Sequence, residues 1–247
     1  MLKFVVIDEE LVVNNEKIQD DTAKAINDLI KSGIEIAIIT HRSYYQIKNI
    51  FMPKIKNLIF ICDDGGMIIK NGVLYYMGVI ERRTLSEFSK IAERLKGAEL
   101  YLTKKDSALK IVGENAATLN TLKEEISKIT MYLENSGAAF LDITPNLHKN
   151  NLRISYYNES VVELVTINST RALAVSTIMR RYGFFKEETA AFLSESISAS
   201  IMRYCKTVIA EEKAPPEIKN GANSVFNSIS EELIKLSQHY VKQSEQE

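Results

Sequence analysis

The sequence lacks the features that mark several large classes of protein. It has no Trp and only two Cys among 247 residues, and two lone cysteines (Cys62 and Cys205) form neither a disulfide framework nor a zinc site. No apolar run approaches the roughly 20 residues that a membrane-spanning helix needs. The apolar start at 1–8 turns acidic too early for a signal peptide. We therefore expect a cytoplasmic protein with reduced thiols and no membrane partner.

The charge of the chain has no strong bias towards one sign. Lys and Arg together number 31 and Asp and Glu 32, so we expect no nucleic-acid partner and no acidic disorder. Hydrophobic residues make up 45% of the chain, which is enough to bury a sizeable core in one large domain or two modest ones. The sequence leaves the oligomeric state open.

Buried strands alternate with helices at both ends of the chain. Apolar runs at 2–7 (with one Lys), 34–39 (with one Glu) and 58–62 predict strands that are buried on both faces. Helical spacing of apolar residues lies between them, at 20–32 and 43–51. This β-α-β-α-β order is typical of a parallel, doubly wound, Rossmann-like sheet. Near the C-terminus the pattern resumes, with predicted helices at 170–182, 198–204 and 229–241 and strands at 189–193 and 207–210.

The middle of the chain has an antiparallel pattern. An Asn-Gly turn at 71–72 predicts a hairpin, and apolar spacing over 116–135 predicts a long helix. We interpret residues 81–165 as an inserted α+β cap domain, and residues 1–80 and 166–247 as the core domain. The other elements predicted in this stretch are a helix at 85–96 and strands at 99–103, 108–112, 140–143 and 152–156.

Polar residues follow the buried strands, at the edge where a parallel sheet binds its ligands. A carboxylate at the end of a buried strand is costly unless it is paired, hydrated or bound to metal. Taken alone, Asp8 also fits a helix-cap or turn aspartate, so the hypothesis of a site depends on the whole set. That set comprises Asp8-Glu9-Glu10, Thr40-His41-Arg42, Asp63-Asp64-Gly65-Gly66 and Ser194-Glu195.

This set resembles the Cof-type branch of the haloacid dehalogenase (HAD) superfamily in order and spacing, over roughly the whole chain. Members open with an apolar strand and Asp-x-Asp-Gly-Thr, followed by a strand with Thr-Gly-Arg, an Asn-Gly-Ala turn and a cap domain. They end with a Lys that opens a helix and with Gly-Asp-x-x-Asn-Asp after a strand. The counterparts here are Asp8-Glu9-Glu10-Leu11-Val12, Thr40-His41-Arg42, Asp64-Gly65-Gly66, Arg171 and Leu193-Ser194-Glu195-Ser196-Ile197-Ser198. The resemblance implies a HAD-like core with a mostly parallel sheet and an inserted α+β cap.

The resemblance also implies roles for individual residues. Asp8 holds the position of the nucleophile that forms an aspartyl phosphate, and Glu10 holds that of the general acid and base. Thr40 matches the residue that hydrogen-bonds the transferring phosphoryl group, and Arg171 replaces the Lys that neutralises phosphate and nucleophile. Taken alone, an Arg at the start of a helix is usually a solvated surface residue. The implied substrate-binding set consists of Thr40, His41, Arg42, Asp64 and Gly65.

Several motif positions depart from the family pattern. Neutral Ser194 and Ser198 stand where the family has metal-binding or metal-orienting aspartates. Because Mg²⁺ prefers carboxylates and water, the remaining set of Asp8, Glu10 and Ser194 implies a weak or absent metal site. Glu195 lies one residue out of register and would add a ligand only if its loop shifts; otherwise it reads as a solvated loop glutamate.

These departures leave three hypotheses open. In the first, the chain is a phosphatase-like protein with little or no turnover that binds a phosphorylated small molecule or a protein partner, and an ion pair between Asp8 and Arg171 fills the place of the metal. In the second, it is an active phosphatase on small esters such as sugar phosphates, with Mg²⁺ as cofactor. In the third, it is a structural or regulatory subunit whose cap is an interface. Whether the protein has a working metal site distinguishes the first hypothesis from the second.

Overall fold

The computed structural model describes residues 1–95, 97–133, 147–158 and 160–244. Within these residues the strands are β1 (Phe4–Asp8), β2 (Val13–Asn14), β3 (Lys17–Ile18), β4 (Glu35–Ile39), β5 (Ile59–Cys62), β6 (Met67–Lys70), β7 (Val73–Met77), β8 (Glu99–Thr103), β9 (Ala108–Val112), β10 (Lys128–Tyr132), β11 (Leu152–Tyr157), β12 (Val161–Thr166), β13 (Thr189–Leu193), β14 (Thr207–Glu211) and β15 (Ser224–Phe226).

The helices lie between these strands. The α-helices are α1 (Glu9–Val12), α2 (Asp20–Lys31), α3 (Tyr44–Phe51), α4 (Arg82–Ala92), α5 (Arg171–Tyr182), α6 (Pro216–Gly221) and α7 (Ile229–Ser244). Short 3₁₀ helices cover Asp63–Gly65, Gly113–Thr121, His148–Asn150, Lys186–Glu188 and Ser196–Tyr204. No helix in the described ranges is both long and apolar enough to cross a lipid bilayer.

Eight strands form one mostly parallel sheet, in the order β15-β14-β13-β1-β4-β5-β6-β7. Strand β1 lies near its centre and pairs in parallel with β13 and β4, while β6 and β7 add an antiparallel hairpin at one edge. All five residues of β1 are buried, since apolar side chains pack on both faces of the sheet. The predicted α/β fold with a mostly parallel sheet is confirmed.

A second sheet of five antiparallel strands is built from the middle of the chain, in the order β11-β12-β10-β8-β9. One face packs against α4 and the 3₁₀ helix Gly113–Thr121, around buried residues that include Phe88, Leu100, Ile129 and Leu164. The strands predicted at 99–103 and 108–112 are confirmed. The domain limits drawn at 81 and 165 stay a prediction.

The long helix predicted over 116–135 is wrong. The chain instead forms the 3₁₀ helix Gly113–Thr121 and then strand β10, which pairs with β8 and β12 in the middle of the five-stranded sheet. Ile129 and Met131 are buried in the apolar core on one face of the strand and alternate with polar Thr130. This is the period-two spacing of a strand, which the helix prediction overlooked. The strand predicted at 140–143 lies outside the described residues, and the helix predicted at 198–204 is the 3₁₀ helix Ser196–Tyr204.

Candidate active site at the edge of the parallel sheet

Three strand ends and one helix start meet at the same edge of the large sheet. Strand β1 ends at Asp8, which lies beside the last residue of β4 in the parallel register, so Thr40 follows directly next to it. Strand β13 pairs with the other side of β1 and is followed by Ser194. Arg171 is the first residue of α5 and reaches the same point. The structure therefore brings together Asp8, Arg171 and Ser194, with Thr40 beside them.

Both carboxylate oxygens of Asp8 are engaged by protein donors, and the side chain is fully buried. Oδ1 accepts a hydrogen bond from the Ser198 hydroxyl at 2.6 Å and lies 3.2 Å from Nη1 of Arg171. Oδ2 accepts from the backbone amides of Ser194, at 2.8 Å, and Glu195, at 3.3 Å. Burial raises the pKa of Asp8, while the charge of Arg171 and these hydrogen bonds oppose the rise.

The Arg171 guanidinium lies between three carboxylates and is 2% exposed. Besides its contact with Asp8, its Nε donates to Asp64 Oδ1 at 2.8 Å and its Nη1 to Glu195 Oε2 at 2.6 Å. Burial alone would lower the pKa of Arg171, but the charges of these three carboxylates raise it above its ordinary value. Arg171 is thus a permanent internal cation and not the solvated surface residue that a helix-start Arg usually is.

The backbone around α5 holds Arg171 in this position. The Thr170 hydroxyl caps the helix by accepting from the amide of Leu173 at 3.1 Å. Gly65 has a φ of 93°, and a Cβ atom there would lie 2.2 Å from the carbonyl oxygen of Thr170. Only glycine lets the turn pack this closely against the helix start, and this packing brings Asp64 to Arg171. In this structure Gly65 therefore packs against the backbone of Thr170. The contact with substrate that the resemblance implies for Gly65 stays a prediction.

Asp64 is fully buried and has an incomplete set of partners. Its Oδ1 is bound by Arg171, whereas its Oδ2 has no hydrogen-bond partner among the described residues. Arg153, from β11, reaches the backbone carbonyl of Asp64 at 3.4 Å, so the five-stranded sheet also contacts this turn. The role of Asp64 in substrate binding stays a prediction, and its observed contact is with Arg171.

Thr40 and Arg42 are bound to Glu9, a residue that sequence reasoning missed. The Thr40 hydroxyl donates to Glu9 Oε2 at 2.5 Å and accepts from the amide of Arg42 at 2.9 Å. Arg42 pairs through Nη1 with Glu9 at 3.1 Å and through Nη2 with Glu16 at 2.6 Å. Glu9 occupies a variable motif position, so no sequence signal singled it out. The polar atoms assigned to phosphate in Thr40 and Arg42 are therefore directed at carboxylates.

Lys128 links the two sheets, and sequence reasoning missed it because the apolar spacing around it predicts a helix. It lies on β10 with 1% of its side chain exposed. Its Nζ donates to the carbonyl of His41 at 2.8 Å and to Glu163 Oε1 at 3.0 Å, and lies 3.4 Å from Asp63 Oδ1. The Ser127 hydroxyl donates to the other oxygen of Asp63 at 2.8 Å. These contacts join the five-stranded sheet to the loops of the large sheet.

His41 lies at this junction and lines the open cleft beside it. Its Nδ1 is 3.4 Å from Glu163 Oε2, and its ring stacks on Tyr156 with centroids 4.9 Å apart. Burial alone would lower the pKa of His41, but Glu163 outweighs it and the net shift is upwards. Burial alone would raise the pKa of Glu163, but His41 and Lys128 lower it.

A cleft with a volume of about 690 Å³ opens between the loops after β1 and β4 and strands β10 to β12. Glu10 lines it, close to Glu195 and His41. Partial burial and the negative charge of Glu195 raise the pKa of Glu10. Glu10 therefore holds its proton to a higher pH than a free glutamate does.

The residues at the site do not fit a Mg²⁺ ion. In the part of the chain that the structure describes, no group of three or more His, Cys, Asp or Glu side chains could hold a metal. The resemblance places metal ligands at Ser194 and Ser198; here the Ser194 amide and the Ser198 hydroxyl donate to Asp8. A guanidinium nitrogen of Arg171 lies at ion-pair distance from the same carboxylate, where it supplies the positive charge.

A family model of haloacid dehalogenase-like hydrolases matches residues 4–132, just over half of the chain. The chain belongs to this family. The resemblance read from the motifs is confirmed. No curated protein matches the sequence.

Solved structures share the fold of this HAD-family chain along its length. A haloacid dehalogenase-like hydrolase from Bacteroides thetaiotaomicron has 14% identity and a TM-score of 0.77, with 96% of this chain and 100% of that chain covered. A protein from Thermotoga maritima has 13% identity and a TM-score of 0.80, with 96% and 97% covered. A sugar phosphatase of HAD subclass IIB has 16% identity and a TM-score of 0.71, with 97% and 99% covered. At identities this low the likeness shows the fold.

Proposed function

We propose that this HAD-family chain keeps the fold and the cleft of a phosphatase but hydrolyses phosphate esters weakly or not at all. The observation that carries the proposal is the buried contact between Arg171 and Asp8, with Nη1 at 3.2 Å from Oδ1. Together with the donors from Ser194 and Ser198, this fixed guanidinium occupies the carboxylate that would otherwise bind an exchangeable metal ion. The chain is then a binding or regulatory member of a hydrolase family.

The charges around the nucleophile position support this proposal. Attack on a phosphate ester brings an anionic carboxylate against an anionic phosphoryl group, and positive charge must offset both. Here one guanidinium already serves the carboxylates of Asp8, Asp64 and Glu195. Little of its charge is left for a phosphoryl group, which would meet a surplus of negative charge.

The hydrogen bonds of Asp8 also oppose nucleophilic attack. A carboxylate oxygen attacks with a lone pair, and each oxygen of Asp8 already accepts at least two donors. Freeing one oxygen would leave the buried hydroxyl of Ser198 or an amide without its acceptor, which costs about 1–3 kcal/mol per buried group. These donors also lower the basicity of the Asp8 carboxylate, which burial alone would raise.

Glu10 favours a second candidate, an active phosphatase on small phosphate esters. Its raised pKa keeps it protonated to higher pH, as a general acid that protonates a leaving group requires. It also lies near Asp8, whose charge contributes to that rise. The donor set around Asp8 offers no matching site for Mg²⁺, so we rank this function second.

The cytoplasmic location and the phosphorylated ligand both stay predictions.

Hydrolysis of a generic aryl phosphate tests the proposal. We expect a rate with Mg²⁺ no higher than without it, and no change in that rate in Asp8→Asn. The matched surface control is Glu187→Gln, because Glu187 is exposed and precedes β13, at the opposite end of that strand from Ser194. Metal-dependent turnover that disappears in Asp8→Asn but persists in Glu187→Gln would establish the second function instead.

A further inference from the structure

We propose that Lys128 and Asp63 form a latch between the two sheets, and that this junction opens locally while both sheets stay folded. The closed junction covers the turn at Asp64 that holds Arg171, so the latch limits access to the candidate site. The inference goes beyond the proposed function, because it holds whether or not the chain hydrolyses phosphate esters. Three features carry it: separate apolar cores, a polar junction and a double chain crossing.

Each sheet has its own apolar core. The apolar cluster around the five-stranded sheet draws its buried residues from the segment between Ile80 and Leu164. The two clusters on the faces of the large sheet draw theirs from residues up to Ile69 and from Ala174 onwards. Among the described residues, no buried apolar cluster therefore spans both sheets. Because the hydrophobic effect scales with the apolar area removed from water, it stabilises each sheet but does little to hold one against the other.

Polar side chains meet across the junction instead. Asp63, on the side of the large sheet, is fully buried. It accepts a hydrogen bond from Ser127 across the junction at 2.8 Å and from Ser43 on its own side at 2.7 Å, and Lys128 Nζ lies 3.4 Å away. The Ser43 hydroxyl also lies 3.3 Å from that of Thr103 across the junction. The two sheets are thus joined by hydrogen bonds and charge.

Such a junction can open at low cost, because water replaces the partners of its polar groups when the sheets separate. The desolvation cost of a buried ion pair offsets much of its attraction, so an ionic junction separates more readily than an apolar one of equal area. Removing one partner of the latch leaves the other charged and buried only while the junction is closed. Loss of Asp63 or Lys128 therefore favours the open state.

The closed state also leaves one polar atom unsatisfied. Asp64 is fully buried, and its Oδ2 has no hydrogen-bond partner among the described residues. Arg153, from the five-stranded sheet, reaches the backbone carbonyl of the same residue at 3.4 Å. Separation of the sheets lifts Arg153 from this turn and admits water, which donates to Oδ2. Because a buried acceptor without a donor is costly, this atom favours opening.

The chain crosses between the sheets at two neighbouring segments. Residues 78–81 lead from β7 into α4, and residues 167–170 lead from β12 into α5. The segments touch, because a Cβ atom at Gly78 would clash with the Ser169 hydroxyl. A few residues at the ends of helices and strands can absorb the backbone rotation of a rigid-body opening. The two crossings therefore form the hinge about which the five-stranded sheet moves.

Thiol labelling of Thr103→Cys with iodoacetamide tests the opening on the full-length protein. Thr103 is buried and faces Ser43 across the junction, so the reagent reaches the introduced thiol only when the sheets separate. Cys62 is fully buried in the core of the large sheet and reports global unfolding in the same molecule. Relative to the rates in urea, we expect the introduced thiol to react at least about tenfold faster than Cys62, as for a local opening. Equal rates would overturn the inference, because only global unfolding would then expose the junction.

Variants in the Thr103→Cys background test the latch itself. We expect Asp63→Asn to speed labelling of the introduced thiol about tenfold, because it removes the charge that faces Lys128, and to change the labelling of Cys62 less. Asn fits the backbone here, since residue 63 has a φ of 53°, a region that Asn tolerates. Ser127→Ala keeps both charges of the latch and should act in the same direction by a smaller factor.

Asp106→Asn is the matched control. Asp106 pairs with Lys48 across the same junction at 3.5 Å, but its side chain is 53% exposed, and such pairs contribute little. Labelling should therefore stay unchanged in Asp106→Asn. An equal increase in this control, an equal increase for both thiols, or no increase in Asp63→Asn and Ser127→Ala would overturn the latch. Metal-dependent hydrolysis would overturn the proposed function and leave the latch intact.

Discussion

Replacing Arg171 with methionine tests how much the buried ion-pair cluster contributes to stability. The side chains of Arg171, Asp8 and Asp64 are at most 1% exposed, so solvent screens their interaction little. Removing the cation from such a cluster leaves uncompensated buried charge and typically costs about 3–5 kcal/mol. Asp8 keeps the hydrogen bonds from Ser198 and from the amide of Ser194, which favours the lower half of that range.

The loss of stability in Arg171→Met should grow as the pH rises. Burial already raises the pKa of Asp8 and Arg171 opposes the rise, so the variant raises it further. A carboxyl with a raised pKa in the folded state takes up a proton there more readily than in the unfolded state. The folded variant is therefore relatively most stable at acid pH and loses stability as pH rises through the raised pKa.

Urea unfolding of both proteins at about pH 5 and pH 8 measures this effect. We expect a larger difference in free energy of unfolding at the higher pH. Arg180→Met is the matched control, because Arg180 is exposed on the same helix, and it should change stability by less than about 0.5 kcal/mol. A loss below about 1 kcal/mol for Arg171→Met, or one that is the same at both pH values, would refute the reasoning.

Three further predictions concern the junction of the two sheets and the core. Lys128→Met should lower the free energy of unfolding by about 3–5 kcal/mol, because it leaves Asp63 buried without its cation; chemical denaturation measures it. The pKa of His41 is raised by Glu163, so its stabilising charge is present below about pH 6.5 and is lost as pH rises through the folded value. His41→Gln should therefore destabilise the protein more at acid than at alkaline pH, and the opposite trend would contradict this. Cys62 is fully buried with its pKa raised well above the ordinary value, so thiol reagents should label it only after unfolding.

The architecture could be predicted from the sequence because its central strands are buried on both faces. Such strands appear in the sequence as mostly apolar runs, and those at 2–7 and 34–39, each with one charged residue, correspond to Phe4–Asp8 and Glu35–Ile39. The segment at 116–135 failed for the converse reason. A strand of only five residues, in which apolar Ile129 and Met131 alternate with polar side chains, is too short for its period-two spacing to be told from helical spacing. Its pairing with distant strands decides between the two.

The members of the site could be predicted only as positions along strands. Asp8, Thr40 and Ser194 follow strands whose carboxyl ends must meet at one edge, so their proximity follows from the topology. The contacts that define the chemistry join Glu9 to Arg42 and Lys128 to Asp63 across the folded chain. Spacing does not encode which way these side chains point, so no pattern could give them.

Calorimetric titration of the unmodified protein with Mg²⁺ tests the central claim, that Arg171 supplies the positive charge at Asp8, most directly. Ser194→Asp combined with Ser198→Asp and Arg171→Lys serves as the comparison, because it restores carboxylates and a point charge at the family positions. We expect no saturable heat from the unmodified protein up to about 5 mM Mg²⁺, since its donor set does not offset the charge of the ion. Stoichiometric Mg²⁺ binding to the unmodified protein that disappears in Asp8→Asn would contradict the claim.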